Sequence, residues 1–418
     1  MLTSDAAIEK SAFIDAERLQ ALAKPYVGKE VTFADINDLV DEINAIYRDR
    51  GLITARAIVP PQRIEEGILK IRLVEGEVGQ IELKGRDYTD PGFVRSTVGL
   101  ERGEKIDVPA LQRRLRGVNR LTPLQLGAQL RPGESFGQSD VIVDVQEPPR
   151  WTGRVFADNN GSESTGEEQV GVAGTWNGPF RRGDRLIGYL VGSEGSASAS
   201  ASYAVPVLAT GHLLTAQVSY ARTEVVDGGF SQFDIEGQST QANVEYLAPG
   251  LTGRNWSVDW LAEIGHINSE TDALGDPIAD IEVNELGLGL QSRGGGERWR
   301  WFVEQRFLTG RSTDILDETE SFQRFPVRLS LIGPGVFGGA LRASGSWQFA
   351  SRNRIASPVE FAIGGVGTVR GYDSGVQAAA RGGAVSLEHH WRPDWSFDVD
   401  PMVFFDAGHI NGVGGNED

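Results

Sequence analysis

A nucleophile, a metal centre or a phosphate cradle needs particular residue types at particular spacings, and this 418-residue sequence offers few candidates. Gly133-Glu134-Ser135-Phe136-Gly137 satisfies the G-x-S-x-G pattern, but a nucleophile elbow needs a strand before it and a helix after it, and here the run joins two expected strands. It reads as a turn. All five histidines (His212, His266, His389, His390 and His409) lie far along the chain from Ser135, so none is placed to act as its base. Adjacent His389 and His390 point to opposite faces of a strand and do not easily share a metal. Gly365, Gly367 and Gly371 miss the dinucleotide pattern G-x-G-x-x-G because Arg370 stands at its last glycine position, and no G-x-x-x-x-G-K-S loop occurs. The absence of cysteine excludes disulfides, thiolate zinc sites, iron–sulfur clusters and cysteine nucleophiles. The expectation is a non-enzyme with no catalytic residue, no metal and no cofactor.

Composition narrows the remaining classes. Forty Lys and Arg against 58 Asp and Glu give a net charge of −18, which argues against nucleic-acid binding through a broad basic face. A mean hydropathy of −0.25 and no apolar run near 18 residues exclude helical membrane spans. A β-barrel survives that test, because its strands alternate and never look hydrophobic on average. Glycine is abundant, with 53 residues. The N-terminus lacks the basic and apolar regions of a secretory leader, so either the protein is cytosolic or the leader is absent from this sequence. A chain without cysteine suits an oxidising compartment.

The first part of the chain reads as two copies of one α/β unit. Ile36, Leu39, Val40, Ile43, Ile46 and Tyr47 form one helical stripe, with Thr32 and Asp35 spaced as a capping box and Gly51 at the left-handed end. An earlier helix is expected around Ala16 to Ala23, and strands at Thr54 to Val59 and Gly67 to Val74 follow. The second copy has a strand at Gln80 to Lys84, helices at Pro91 to Val98 and Pro109 to Leu121, and strands at Leu124 to Leu130 and Asp140 to Gln146. Pro148-Pro149 is a stiff hinge.

Beyond Arg150 the period changes to two. In Ser196 to Val205, alanines, Tyr203 and Val205 occupy one face and serines the other; Trp256, Val258, Trp260, Ala262 and Ile264 oppose Ser257, Asp259 and Glu263; Leu341, Ala343, Gly345, Trp347 and Phe349 oppose Arg342, Ser344, Ser346 and Gln348. A soluble sandwich also alternates. However, runs of about 9 to 13 residues exceed the usual ~5–6 of soluble strands and match a tilted membrane span. Aromatic residues sit near their ends, as in interfacial girdles. About thirteen such strands are expected between Arg150 and Ile410, an odd number where closure favours an even one, so the last strands are expected to be missing from the sequence.

These units and motifs resemble the two-partner secretion transporters, the haemolysin and filamentous-haemagglutinin secretion and activation proteins. The resemblance rests on PYVGKEVT (Pro25 to Thr32), IYRDRGLITARAIVPPQ (Ile46 to Gln62), GILKIRLVEGEV (Gly67 to Val78), FRRGDRL (Phe180 to Leu186), YAVPVLATG (Tyr203 to Gly211), the tetrapeptide Val369-Arg370-Gly371-Tyr372 and FFDAG (Phe404 to Gly408). It implies α+β POTRA (polypeptide-transport-associated) domains followed by an all-β antiparallel transmembrane barrel, sixteen strands in the family. The corresponding boundaries are POTRA 1 over residues 1–78, POTRA 2 over 79–148 and the barrel over 149–418, with the VRGY loop at about 351–381. Departures are the missing leader and plug helix, a first POTRA strand at best partial in Leu2 to Ser4, and the missing final strands.

The resemblance further implies an outer-membrane location with periplasmic POTRA domains. The partners are then membrane lipid and an unfolded secreted exoprotein of haemolysin or adhesin type, with no nucleic acid, and the barrel works as a monomer. Transport would use no nucleotide. The edge of Thr54, Ala55, Arg56, Ala57, Ile58 and Val59 is the candidate for catching extended cargo by strand addition, against the alternative of an ordinary core strand. In the family the VRGY loop folds into the barrel and its Arg pairs with an Asp, here Arg370 with Asp406. Parity agrees, since Val403, Phe405 and Ala407 share the apolar face and leave Phe404 and Asp406 for the lumen. The alternative is two separate lumenal charges facing water. The rival function is an outer-membrane insertase of the same superfamily; a passive porin leaves the POTRA units unexplained.

Overall fold

A computed structural model describes residues 10–64, 67–208, 211–391 and 399–411. The partial strand expected at Leu2 to Ser4 lies outside them. The chain forms two compact units, Met1–Pro148 with Arg181–Gly183 and Leu208–Gly211, and Pro149–Phe180 with Asp184–Val207 and His212–Asp418.

In the first unit, α1 (Ala16–Ala23) and α2 (Phe33–Asp49) precede β1 (Ala55–Ile58) and β2 (Arg72–Glu75), which pair antiparallel. Thr32 accepts from the Asp35 N–H while Asp35 accepts from the Thr32 N–H, the reciprocal box its spacing predicts. Gly51 has φ +71°, and the Leu52 N–H closes back on the Tyr47 carbonyl. The helix buries Ile36, Leu39, Ile43 and Tyr47, the last three packed in one cluster with Leu19, Leu52 and Ala57. The glutamate of the VEG motif is structural: Glu75 is buried and accepts from Tyr47 Oη at 2.9 Å, the Ala12 N–H at 2.9 Å and the Ser11 hydroxyl.

The copy that follows consists of β3 (Glu77–Lys84), α3 (Pro91–Val98), α4 (Val108–Leu121), β4 (Gln125–Pro132) and β5 (Gln138–Gln146). Its sheet order is β3-β5-β4, with β3 parallel and β4 antiparallel to β5. Residues 133–137 connect β4 to β5, so Ser135 sits in a turn between strands. Val78, Val94, Val98, Ile106, Val118, Val141 and Val143 are almost fully buried, each contributing about 1.5–3 kcal/mol. Glu147 closes the unit by accepting from the backbone N–H groups of Asp87, Tyr88 and Thr89. Burial alone raises its pKa, but bonds from Thr89, Tyr88 and Asp87 outweigh that and hold it below 4.5.

The second unit is a sheet of thirteen antiparallel strands: β6 (Trp151–Asp158), β7 (Gln169–Asn177), β8 (Arg185–Gly192), β9 (Ser196–Leu208), β10 (His212–Glu224), β11 (Glu236–Thr252), β12 (Trp256–Ala273), β13 (Asp276–Gly295), β14 (Arg300–Thr313), β15 (Thr319–Pro334), β16 (Ala340–Ala350), β19 (Arg381–His390) and β20 (Met402–Asn411). Consecutive strands are neighbours throughout, except that β17 (Phe361–Ile363) and β18 (Gln377–Ala379) form a separate hairpin within the loop joining β16 to β19. Strands β11 to β13 run 17 to 20 residues, longer than the sequence alternation suggests. Their outward faces explain the difference. On β12 these positions change from Trp260 and Ile264 to His266, Asn268 and Glu270, and on β13 Leu288 and Leu286 give way to Asn284, Glu282 and Asp280 at matching register. The strands therefore continue past the apolar band.

Part of the glycine excess has a packing reason. Phe156 stands directly across from Gly171, Phe322 from Gly310 and Trp347 from Gly383, and in each pair the ring occupies the space a methyl group on the glycine would need. Among the described residues, no helix is long and apolar enough to cross a membrane, which says nothing of the strands.

Candidate functional site

The loop between β16 and β19 touches distant strands on one face of the sheet: its root packs with β12, β13 and β15, while Arg370 reaches β19 and β20. One loop contacts both regions because the sheet curls around it, and the enclosed face is the lumen.

Three alternate residues of FFDAG meet the loop. Asp406 accepts from Arg370 Nε and Nη2, both at 2.7 Å, and from the Arg370 backbone N–H at 3.1 Å. The Phe404 ring lies 3.8 Å from the guanidinium carbon, a cation–π contact. Gly408 faces Val369, with only 2.8 Å between Val369 Cγ2 and the position a methyl at 408 would take. Parity supplies this arrangement, because residues 404, 406 and 408 of one strand share a face. The Asp406 carboxylate is 3% exposed and the Arg370 side chain 17%. Such a bidentate, charge-assisted contact fixes both position and orientation.

Strand β19 completes the nest. Arg370 Nη1 donates to Glu388 at 2.7 Å and Nη2 to Ser386 at 2.8 Å, and Glu388 also meets His390 Nε2 at 3.1 Å. Ser386 and Glu388 lie in no motif of their own. Register could have found them, since Ser386 pairs with Asp406 and Glu388 with Phe404. Gly371 has φ +87°, a left-handed turn that favours glycine. The Tyr372 side chain is exposed and takes no part in the nest, although its carbonyl accepts from the Gly365 N–H at 2.8 Å.

Away from the loop the lumen wall is charged. Arg306 on β14 donates to Glu304 and Glu245, both at 3.0 Å, and also to Glu263. It reaches past β13 because Gly287 there carries no side chain; a methyl would lie 2.8 Å from Glu263 Cγ. Glu245 and Glu263 stand directly opposite each other, a repulsive pair that Arg306 bridges.

The candidate capture edge of Thr54 to Val59 is differently disposed from its expectation. Strand β1 covers Ala55–Ile58, pairs with β2 along one edge, and buries Ala57 in the core. On the other edge the Ala57 N–H donates to Asn44 Oδ1 at 2.8 Å and its carbonyl accepts from Asn44 Nδ2 at 3.3 Å, so an incoming strand finds both groups occupied. The second copy repeats the device, with Asn119 of α4 bonded to the N–H and carbonyl of Leu126 on β4. Beyond Leu126 the outward N–H and carbonyl groups of Ala128 and Leu130 have no hydrogen-bond partner among the described residues.

Comparison with known proteins agrees with this architecture. The ShlB-type POTRA domain family matches residues 4–76, and the haemolysin secretion/activation protein family ShlB/FhaC/HecB matches residues 137–247 and 299–418. The chain belongs to that family. The heme/hemopexin transporter protein HuxB of Haemophilus influenzae strain 86-028NP is 26% identical over 420 residues, covering 94% of this chain and 72% of that protein. The hemolysin transporter protein ShlB of Serratia marcescens is 32% identical over 154 residues, covering 36% of this chain and 26% of that protein. Among solved structures, CdiB from Escherichia coli superposes with a TM-score of 0.77 at 18% identity, over 99% of this chain and 81% of that one. BamA from Haemophilus ducreyi lacking POTRA domains 1–3 gives 0.52 at 14% identity, over 98% of this chain and 87% of that one. The chain is therefore an outer-membrane β-barrel of the two-partner secretion class, with its POTRA region in the periplasm.

Proposed function

We propose that this protein catches an unfolded exoprotein in the periplasm and passes it as an extended chain through the barrel to the cell surface. Folding of the cargo outside supplies the driving force, without nucleotide hydrolysis. The observation that carries this reading is the VRGY loop lying inside the lumen, held by Arg370 on Asp406 and Glu388: a removable occupant of a charged channel. The expected boundary at 78 moves to 76, because β3 and the buried Val78 belong to the second copy: we assign POTRA 1 up to residue 76, POTRA 2 over 77–148 and the barrel from 149, working as a monomer in lipid. Cargo capture is by strand addition. At Thr54 to Val59 the arriving strand replaces Asn44 at Ala57; along β4 it meets the outward groups of Ala128 and Leu130 directly.

The cargo's appearance in culture supernatant tests the proposal. Cells carrying the transporter with a large exported protein encoded beside it should release that protein, and cells lacking the transporter should retain it in the periplasm. Undiminished release without the transporter, accompanied by failure of unrelated outer-membrane barrels to assemble, would transfer the assignment to an insertase.

A further inference from the structure

The lumen of a channel for extended polypeptide is expected to be polar, yet parts of this wall are not, and one such patch lies beneath the loop. Ile267 on β12, Val283 on β13 and Phe322 on β15 all face inward, and all are 8% exposed or less. The root of the VRGY loop covers them: Ile355 and Val359 on the outgoing limb and Ala380 on the returning limb complete the cluster. Beside this pad, Gln348 on β16 ties the two limbs together, its Nε2 donating to the Val359 carbonyl at 2.8 Å and the Ala380 carbonyl at 3.2 Å. Arg324 on β15 orients that amide from behind, donating to Gln348 Oε1 at 3.3 Å while holding Glu285 through two bonds of 2.6 Å. No residue of this assembly touches Arg370, Glu388 or Asp406 through a hydrogen bond in the described structure. Besides the contacts of its β17–β18 hairpin with β19 and β20, the loop thus has two separate fixings, a charged one at its tip and an apolar, amide-clamped one at its root.

We propose that Gln348, Val283 and Phe322 are positioning residues that keep the loop root seated in the lumen independently of the Arg370–Asp406 contact. Release of the tip then swings the loop about this root instead of expelling it from the barrel. The idea rests on the transporter reading only in needing a reason for the tip to move. Physically, the two fixings respond to different agents. An arriving charged segment competes for Arg370, whereas the two backbone carbonyls are shared by one buried, uncharged amide that offers such a segment no charge to compete for.

Because the sequence has no cysteine, single reporters can be placed without background. The test uses Val366→Cys, exposed near the tip, and Ala356→Cys at the root, each in the full transporter in whole cells. A bulky, membrane-impermeant maleimide is added outside and the rate of modification measured. Asp406→Ala should speed modification of Val366→Cys while leaving Ala356→Cys slow. Gln348→Leu with Phe322→Ala should do the reverse, by about tenfold or more. All three changes together should speed both. If the Phe322→Ala barrel loses heat-modifiable migration on detergent gels, Gln348→Glu makes the same measurement, since it turns a carboxylate toward two carbonyls with almost no change in volume. An Ala356→Cys rate unmoved by the root variants, or raised equally by Asp406→Ala alone, would overturn the proposal. Secretion assayed in the same strains reports separately on the transporter reading, because the labelling pattern does not depend on any cargo being exported.

Discussion

Removing the Asp406 carboxylate is the perturbation whose size follows most directly from the site. Arg370 makes five hydrogen bonds, and three of them, counting its backbone N–H, go to Asp406; Glu388 and Ser386 keep the others. Bonds to a charged partner contribute about 1.5–3 kcal/mol each in net terms, but Glu388 remains to compensate the guanidinium. The expected loss for Asp406→Ala is therefore about 2–3 kcal/mol, a roughly 30- to 150-fold shift toward the released tip. Arg370→Ala should cost more, about 3–5 kcal/mol, because it leaves Asp406 without a cationic partner beside Glu388, which keeps only His390, and also removes the contact with the Phe404 ring. The double variant should be little worse than Arg370→Ala alone. Modification of Val366→Cys from outside the cell is a suitable assay, since its rate follows the released fraction when opening is fast relative to labelling. Additive effects of the two substitutions, or rates indistinguishable from the parent in both singles, would refute the reasoning that these residues act through one contact.

Two smaller changes probe the packing around the same contact and the first unit. Gly408→Ala puts a methyl against Val369 Cγ2, so it should raise the Val366→Cys labelling rate although no charge is altered; an unchanged rate would mean the strand yields without moving the loop. Glu147 has a folded-state pKa below 4.5, so its contribution is present above the unfolded value and lost as pH falls through the folded one. Glu147→Gln should therefore reduce amide protection at Asp87, Tyr88 and Thr89 near neutral pH, with the difference from the parent shrinking in acid; hydrogen exchange corrected for intrinsic rates measures it.

How much of this was legible in the sequence depended on whether the deciding interaction was local. The α2 stripe, the Thr32–Asp35 box and the left-handed Gly51 are short-range features, and each occupies its expected place. The alternation beyond Arg150 carries the inward and outward faces of the barrel because strand parity holds along each run that no bulge interrupts, as one does between Pro249 and Thr252. It also places Phe404 and Asp406 on the lumen side. The occupied edge at Ala57 was invisible for the opposite reason. Asn44 borders the apolar stripe of α2 and is half-buried, and nothing in its neighbours marks a side-chain amide that reaches another element's backbone. The apolar pad at the loop root was equally hidden. Ile267, Val283 and Phe322 break the polar inward pattern on three strands, and their common purpose emerges only when register brings them beneath Ile355 and Val359.

Passage of cargo through the lumen is the claim on which the account depends, and two adjacent positions of β15 test it. Arg328 points inward, 3.6 Å from Glu304, with its side chain 71% exposed to the lumen, whereas Leu329 points to lipid. A photoreactive side chain placed at either position, with the exported protein stalled during secretion, should crosslink to that protein from 328 and not from 329. Equal crosslinking from both faces, or none from 328 while secretion continues, would contradict transport through this barrel.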